Sequence, residues 1–180
     1  PEVKNIMFHN KRWDTDVRYP WEKIKKVWMK YWDQRKKILM DKTNTNIMRV
    51  REIKKVFDNI VFLAMVRNPY AHVEGLIRRN HATTEYAAAF ALKCLRYQKK
   101  NKENEENILF LSYEDLCDNK EGSIEKIKEF IPELGTINSD LEFSAHNFKT
   151  EGKMKIQNLN DEKINKLSSE QIKVINSYFK

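Results

Sequence analysis

Residues 60–66, Ile-Val-Phe-Leu-Ala-Met-Val, are an unbroken apolar run rich in β-branched side chains. A run of that length without polar alternation predicts one strand covered on both faces, as in a parallel sheet. Arg67 ends the run. Asn68 suits a helix N-cap, and Pro69 suits the first helical position, where no N–H is required. Val73, Leu76 and Ile77 then recur at helical spacing. The order is therefore strand, cation, helix, with Arg67 at the carboxyl end of a strand and beside a helix N-terminus. In open α/β sheets ligands bind in that crevice, and anions are favoured there.

A second cation stands in a similar context. Ile38-Leu39-Met40 is a short apolar run that predicts another strand, followed by Asp41, Lys42 and Thr43. A helix with Ile47, Val50, Ile53 and Phe57 inward comes next. From Lys42 to Arg67 the chain spans one helix and one strand, a single crossover unit. A right-handed crossover in a parallel sheet would set the two strand ends side by side. Lys42 and Arg67 would then share one crevice fit for a doubly anionic ligand.

The remaining elements follow from the same signals. Pro20 opens a helix whose Ile24, Val27, Trp28, Tyr31 and Trp32 make one apolar face, so its tryptophans read as core. Thr83 or Thr84 caps a helix over 83–100, and residues 99–107 read as a charged linker. Ile108 to Leu111 predicts a third buried strand, leading into Ser112-Tyr113-Glu114-Asp115-Leu116. Ser123 suits the cap of a helix with Ile124, Ile127 and Ile131 inward. Asn160 suits another cap, and Ser168 with Gln171 makes a capping box for the last helix. His72 reads as an exposed helical histidine.

Arg67-Asn68-Pro69 after a buried strand resembles the 3′-phosphate-binding motif of the sulfotransferases that use 3′-phosphoadenosine 5′-phosphosulfate (PAPS). The strand, Lys42-Thr43 and helix resemble that family's element in which a lysine lies close to the transferred sulfuryl group. The strand running into Tyr113-Glu114-Asp115-Leu116 is similar to a structural segment of the family, to which no catalytic residue is assigned. The pattern from Ile164 to Asn176 is similar to its C-terminal helices. The resemblance implies an α/β fold: a P-loop-NTPase-like three-layer sandwich, with a central parallel sheet flanked by helices. It implies Lys42 as the catalytic residue and Arg67 as a cofactor-binding one. Lys149, Gly152 and Lys153 correspond to the late basic-glycine segment that closes over the nucleotide. The cofactor implied is PAPS, with adenosine 3′,5′-bisphosphate as product and no metal. The acceptor, a carbohydrate, peptide or small molecule, is open.

The sequence departs from the family pattern at three points. Asn44 stands where the cytosolic branch carries a catalytic histidine, so the general base comes from elsewhere. Gly75 stands where the family places a phosphate-binding serine, with Glu74 beside it. The first strand and its glycine-rich phosphosulfate loop have no counterpart here. The four glycines are Gly75, Gly122, Gly135 and Gly152, and none lies in such a loop. Either that part lies upstream of Pro1, or the protein is not a competent transferase.

Length and charge bound the alternatives. The 180 residues suit one domain over 1–180, large enough for a core. Hydrophobic residues are 41% and charged residues 33%, which places the chain among globular proteins. No apolar run approaches the roughly 20 residues of a membrane span. Cys94 and Cys117 read as free thiols, which with the lack of a visible leader favours the cytoplasm. A start at Pro1 without methionine leaves that assignment open. The net charge of +8 lies wholly in residues 1–60, where 16 Lys+Arg face 8 Asp+Glu, against 18 and 18 thereafter. A non-catalytic binding domain is the second reading. A basic nucleic-acid module ranks last, because the lysines alternate with an ordinary core face and no nucleic-acid motif accompanies them.

Overall fold

The computed structural model describes residues 10–140, 142 and 154–180. Two parallel strands lie at its centre, β1 (Phe62–Val66) and β2 (Ile108–Ser112), in register from Phe62 opposite Ile108 to Val66 opposite Ser112. Helices α1 (Trp21–Tyr31) and α2 (Val50–Lys54) precede the sheet. The crossover between the strands consists of α3 (Pro69–Asn80) and α4 (Thr84–Asn104). After β2 come α5 (Tyr113–Asp118), α6 (Lys120–Phe130), α7 (Asn160–Ile164) and α8 (Ser169–Tyr178). The described residues thus form an α/β arrangement with a two-stranded parallel sheet.

Two apolar clusters hold these elements. In the first, Val73 and Leu76 of α3 pack on Ala87, Ala88 and Ala91 of α4 and on Ile175 of α8. The small alanine side chains let the helices approach closely. In the second, Trp21, Ile24 and Ile53 pack with Trp28, Phe57 and Phe62, so the tryptophans of α1 are core as expected. The Trp21 indole N–H donates to Glu52 Oε2 at 2.7 Å, which satisfies its one polar atom. Tyr31 leaves the expected apolar face and is 84% exposed, at the end of its helix.

Several boundaries differ from the sequence reading. Ile38-Leu39-Met40 forms no strand, and Met40 is 78% exposed. Three apolar residues flanked by Lys36, Lys37, Asp41 and Lys42 offer too little surface to hold a strand in place. Residues Asn44–Met48 instead form a 3₁₀ turn ahead of α2. The sheet neighbour of β1 is therefore β2. β1 is not covered on both faces either: Ala64 is buried while Leu63 and Met65 are about half exposed, an alternating pattern.

The expected linker after residue 99 is helical as far as Asn104. Its end is pinned. The buried Asn101 amide donates to Ile47 O at 2.8 Å, and Glu105 accepts from Arg51 and Lys54, both at 2.8 Å. Asn119, not Ser123, caps α6, its Oδ1 accepting from Gly122 N at 3.2 Å. Ser123 is buried inside that helix. The Thr83 cap of α4 and the Ser168–Gln171 capping box of α8 form as expected.

Candidate functional site

The parallel register builds the site. Val66 and Ser112 end their strands opposite each other, so Arg67 and Tyr113 stand one residue beyond, at the same edge of the sheet. The Arg67 guanidinium carbon lies 4.1 Å above the centre of the Tyr113 ring, a cation–π contact. Arg67 Nε donates to Asn160 Oδ1 at 2.8 Å. The Asn160 amide in turn donates to Glu114 Oε1, which also accepts from Asn68 N at 2.8 Å. Asn68 Oδ1 accepts from the N–H groups of Tyr70 (3.0 Å) and Ala71 (3.4 Å) and so caps α3. Tyr113 donates its hydroxyl to Gln157 O at 2.8 Å and accepts from Leu159 N at 3.2 Å. The network ties the ends of both strands, the start of α3 and the start of α7 into one unit.

Two consequences follow for ligand chemistry. The N-terminal N–H groups of α3 are already taken by Asn68, so an anion here must be held by side chains. Arg67 has the capacity: its Nη2 is buried and has no partner among the described residues. An orphaned guanidinium N–H is a standing cost of about 1–3 kcal/mol that an anionic oxygen would relieve. Guanidinium nitrogens are donors only, in a planar fork matched to phosphate oxygens.

The local titrations follow from the same contacts. Burial alone would raise the Glu114 carboxyl. The N–H groups of Asn68 and Glu114, the Asn160 amide and the Arg67 charge outweigh it and hold Glu114 below the usual carboxylate range. Burial pushes the Tyr113 phenol up, against the pull of Leu159 N–H and Arg67, which keeps its O–H available for Gln157 O. His72 is half-buried rather than exposed. Burial first, then the charges of Arg79 and Arg67, lower it below the ordinary imidazole value. Glu74 is buried, but its Oε1 is held by Arg78 Nε at 3.0 Å, one helical turn on.

Of the residues singled out in the sequence, Arg67 lies in this unit and Lys42 does not. Lys42 is exposed in the segment leading to the 3₁₀ turn, and no hydrogen bond or ion pair joins it to Arg67 or to any other described residue. The expected juxtaposition needed a strand at residues 38–40, and that strand is absent. The neighbouring Asp41 is engaged locally, accepting from Thr43 Oγ1 at 3.2 Å and Asn46 Nδ2 at 2.9 Å. Lys149, Gly152 and Lys153 lie outside the described residues.

Three residues of the unit were not expected there. Tyr113 and Glu114 read as a structural segment, although their place straight after a strand was a usable signal. Asn160 was expected to cap α7. The residue at that cap is Leu159, without a side-chain bond, and the Asn160 side chain turns to Arg67 and Glu114 instead. Among the described residues no cluster of His, Cys, Asp and Glu suits a metal ion, and no helix is long and apolar enough to cross a membrane.

A family model described as the sulfotransferase family matches residues 7–133, more than two thirds of the chain. No curated protein and no solved structure is significantly similar to it. The match includes β1, Arg67, α3, α4, β2, Tyr113 and Glu114. The chain belongs to the sulfotransferase family.

Proposed function

We propose that this member of the sulfotransferase family moves a sulfuryl group from PAPS to a hydroxyl or amine acceptor. A single sulfotransferase-like domain over residues 1–180, part of a P-loop-like three-layer sandwich, belongs to the same reading. The observation that carries it is Arg67: a cation at a strand end, stacked on Tyr113, oriented by Asn160, with a buried Nη2 that has no acceptor among the described residues. A phosphate ester supplies that acceptor. The donor contributes an activated sulfuryl group whose bond to a phosphate oxygen breaks as the acceptor oxygen or nitrogen bonds to sulfur.

The protein's part is to position groups and to stabilise charge. Arg67 holds the 3′-phosphate, and the Asn160–Glu114–Asn68 network fixes its orientation. Lys42, a cation with no hydrogen bond or ion pair among the described residues, neutralises charge developing on the transferred group. Lys149, Gly152 and Lys153 close over the nucleotide. The acceptor proton leaves to a general base outside these residues.

Adenosine 3′,5′-bisphosphate should raise the melting temperature of the protein in proportion to its occupancy. Arg67→Ala lowers the ligand-free melting temperature as well, because Arg67 also joins elements. The relevant readout is therefore the ligand-induced shift, which this variant should lose. An unshifted wild-type protein at millimolar nucleotide would overturn the reading. A second reading, nucleotide binding without transfer, is favoured by one observation: Lys42 stands apart from the Arg67 network. A nucleotide-induced shift with no transfer to any acceptor would select it.

A further inference from the structure

Helix α4 has two faces. Ala87, Ala88 and Ala91 are buried against α3 and α8. Tyr86, Ala89, Phe90 and Lys93 recur at helical spacing on another side and line a cleft of about 530 Å³. That volume lies within the roughly 300–1,000 Å³ of small-molecule sites. The rest of the lining is the loop Trp13-Asp14-Thr15. None of these residues belongs to the Arg67 network.

The loop is fixed by cations from two other parts of the fold, which take its three successive carbonyls. Lys93 Nζ donates to Trp13 O at 2.7 Å. Arg49, at the N-cap of α2, donates from Nη2 to Asp14 O and from Nη1 to Thr15 O at 3.4 Å. Arg49 is 2% exposed, and a cation that far from water is costly unless its N–H groups find acceptors. The result is a loop already in place against α4, which lowers the entropy a ligand loses on binding.

The cleft has an apolar platform and a polar rim. The Tyr86 and Phe90 rings lie nearly parallel, 14° between planes and 6.4 Å between centres, and Trp13 stands edge-on to Phe90 at 4.8 Å. Tyr86 is 65% exposed, whereas a ring present only for packing would be covered. Its hydroxyl and the Trp13 indole N–H have no hydrogen-bond partner among the described residues. Asp14 Oδ1 accepts from Asp16 N at 3.0 Å, and Oδ2 is left over. The lining carries one carboxylate, Asp14, and one ammonium, Lys93, so it is formally neutral in a chain of net charge +8. A nucleotide or a polyanion finds no excess of counter-charge here.

We propose that this cleft binds a neutral pyranose ring of a glycan. Such a ring has an apolar C–H face, which fits the exposed Tyr86–Phe90 platform, and a rim of hydroxyls. Those hydroxyls both donate and accept, which matches Asp14 Oδ2, the Trp13 N–H and the Tyr86 O–H. A purely aromatic ligand would cover the platform and leave these polar groups unmatched. The site stands apart from the nucleotide reading and does not depend on it.

The test is saturation-transfer NMR on the full chain with three neutral probes, cellohexaose, maltohexaose and chitohexaose, and one anionic probe, a heparin hexasaccharide. Wild type should transfer saturation to ring C–H protons of at least one neutral probe. Tyr86→Ala removes an exposed side chain, so the fold survives it, and should raise the dissociation constant about 10-fold or more. Tyr86→Phe keeps the platform and should lose less. No transfer to any neutral probe at millimolar concentration would overturn the proposal. So would neutral-probe affinity unchanged in Tyr86→Ala, or binding of the heparin hexasaccharide alone. Each of those results leaves the nucleotide reading as it was.

Discussion

Two cations with similar sequence settings, Arg67 and Lys42, end in opposite circumstances. Arg67 is held by an aromatic ring, an amide and a capped helix, in a network that spans 93 residues of chain from Arg67 to Asn160. Lys42 is exposed, while its neighbour Asp41 accepts from Thr43 and Asn46 close by in the chain. A short apolar run before a cation does not by itself make a strand. What separates the two sites is whether a second strand lies alongside. β1 has β2 beside it, and residues 38–40 pair with no strand among the described residues.

The largest effect that would sharpen this contrast is kinetic. On the transferase reading, Lys42→Ala should lower turnover about 10²- to 10³-fold, as removal of a charge-stabilising donor does elsewhere. The same variant should change unfolding free energy by no more than about 0.5 kcal/mol, since an exposed side chain with no partner among the described residues contributes little. Unaltered turnover with any acceptor that wild type sulfates would make Lys42 an ordinary surface residue. A large stability loss would show that it is not free.

Asn160→Leu probes the other side. It strips Arg67 Nε of its acceptor and Glu114 of one donor, and each orphaned polar group costs about 1–3 kcal/mol. Urea unfolding should register a loss of about 2–3 kcal/mol. A loss below about 0.5 kcal/mol would mean that solvent replaces these bonds and that the network does not rigidify Arg67.

The smallest effect is a pH dependence confined to the Arg67 region. His72 has a lowered pKa in the folded chain, through burial and then Arg79 and Arg67, against an ordinary 6.5 when unfolded. Below 6.5 the unfolded chain therefore binds a proton that the folded one refuses. Stability should fall as pH drops from 6.5 toward the carboxylate range. In His72→Gln the decline should be shallower. Parallel pH profiles for the two proteins would remove His72 from the account.

How much of this could be read beforehand depended on distance along the chain. The order strand, Arg67, Asn68 cap, Pro69, helix is legible because each signal lies within a few residues of the next. The Ser168–Gln171 box was legible for the same reason. Tyr113 and Glu114 were visible as a segment, but their role rests on which strands are neighbours, and the sequence suggested residues 38–40 as the neighbour of β1. Asn160 gave a misleading signal. Its cap preference was real, yet its amide forms stronger bonds with a guanidinium and a carboxylate brought to it by packing. The exposure of Leu63 and Met65 was hidden too, since an unbroken apolar run does not say how many faces the rest of the protein covers.

The saturation of the first turn of α3 by its own Asn68 carries a consequence for selectivity. With the backbone donors spoken for, discrimination among anions passes to the shape of the side chain that remains. A lysine at position 67 would preserve the charge and lose the flat, two-pronged grip, along with the stacking on the phenol ring. Arg67→Lys is therefore the exchange in which charge and geometry part company, and recognition at this strand tip should follow geometry.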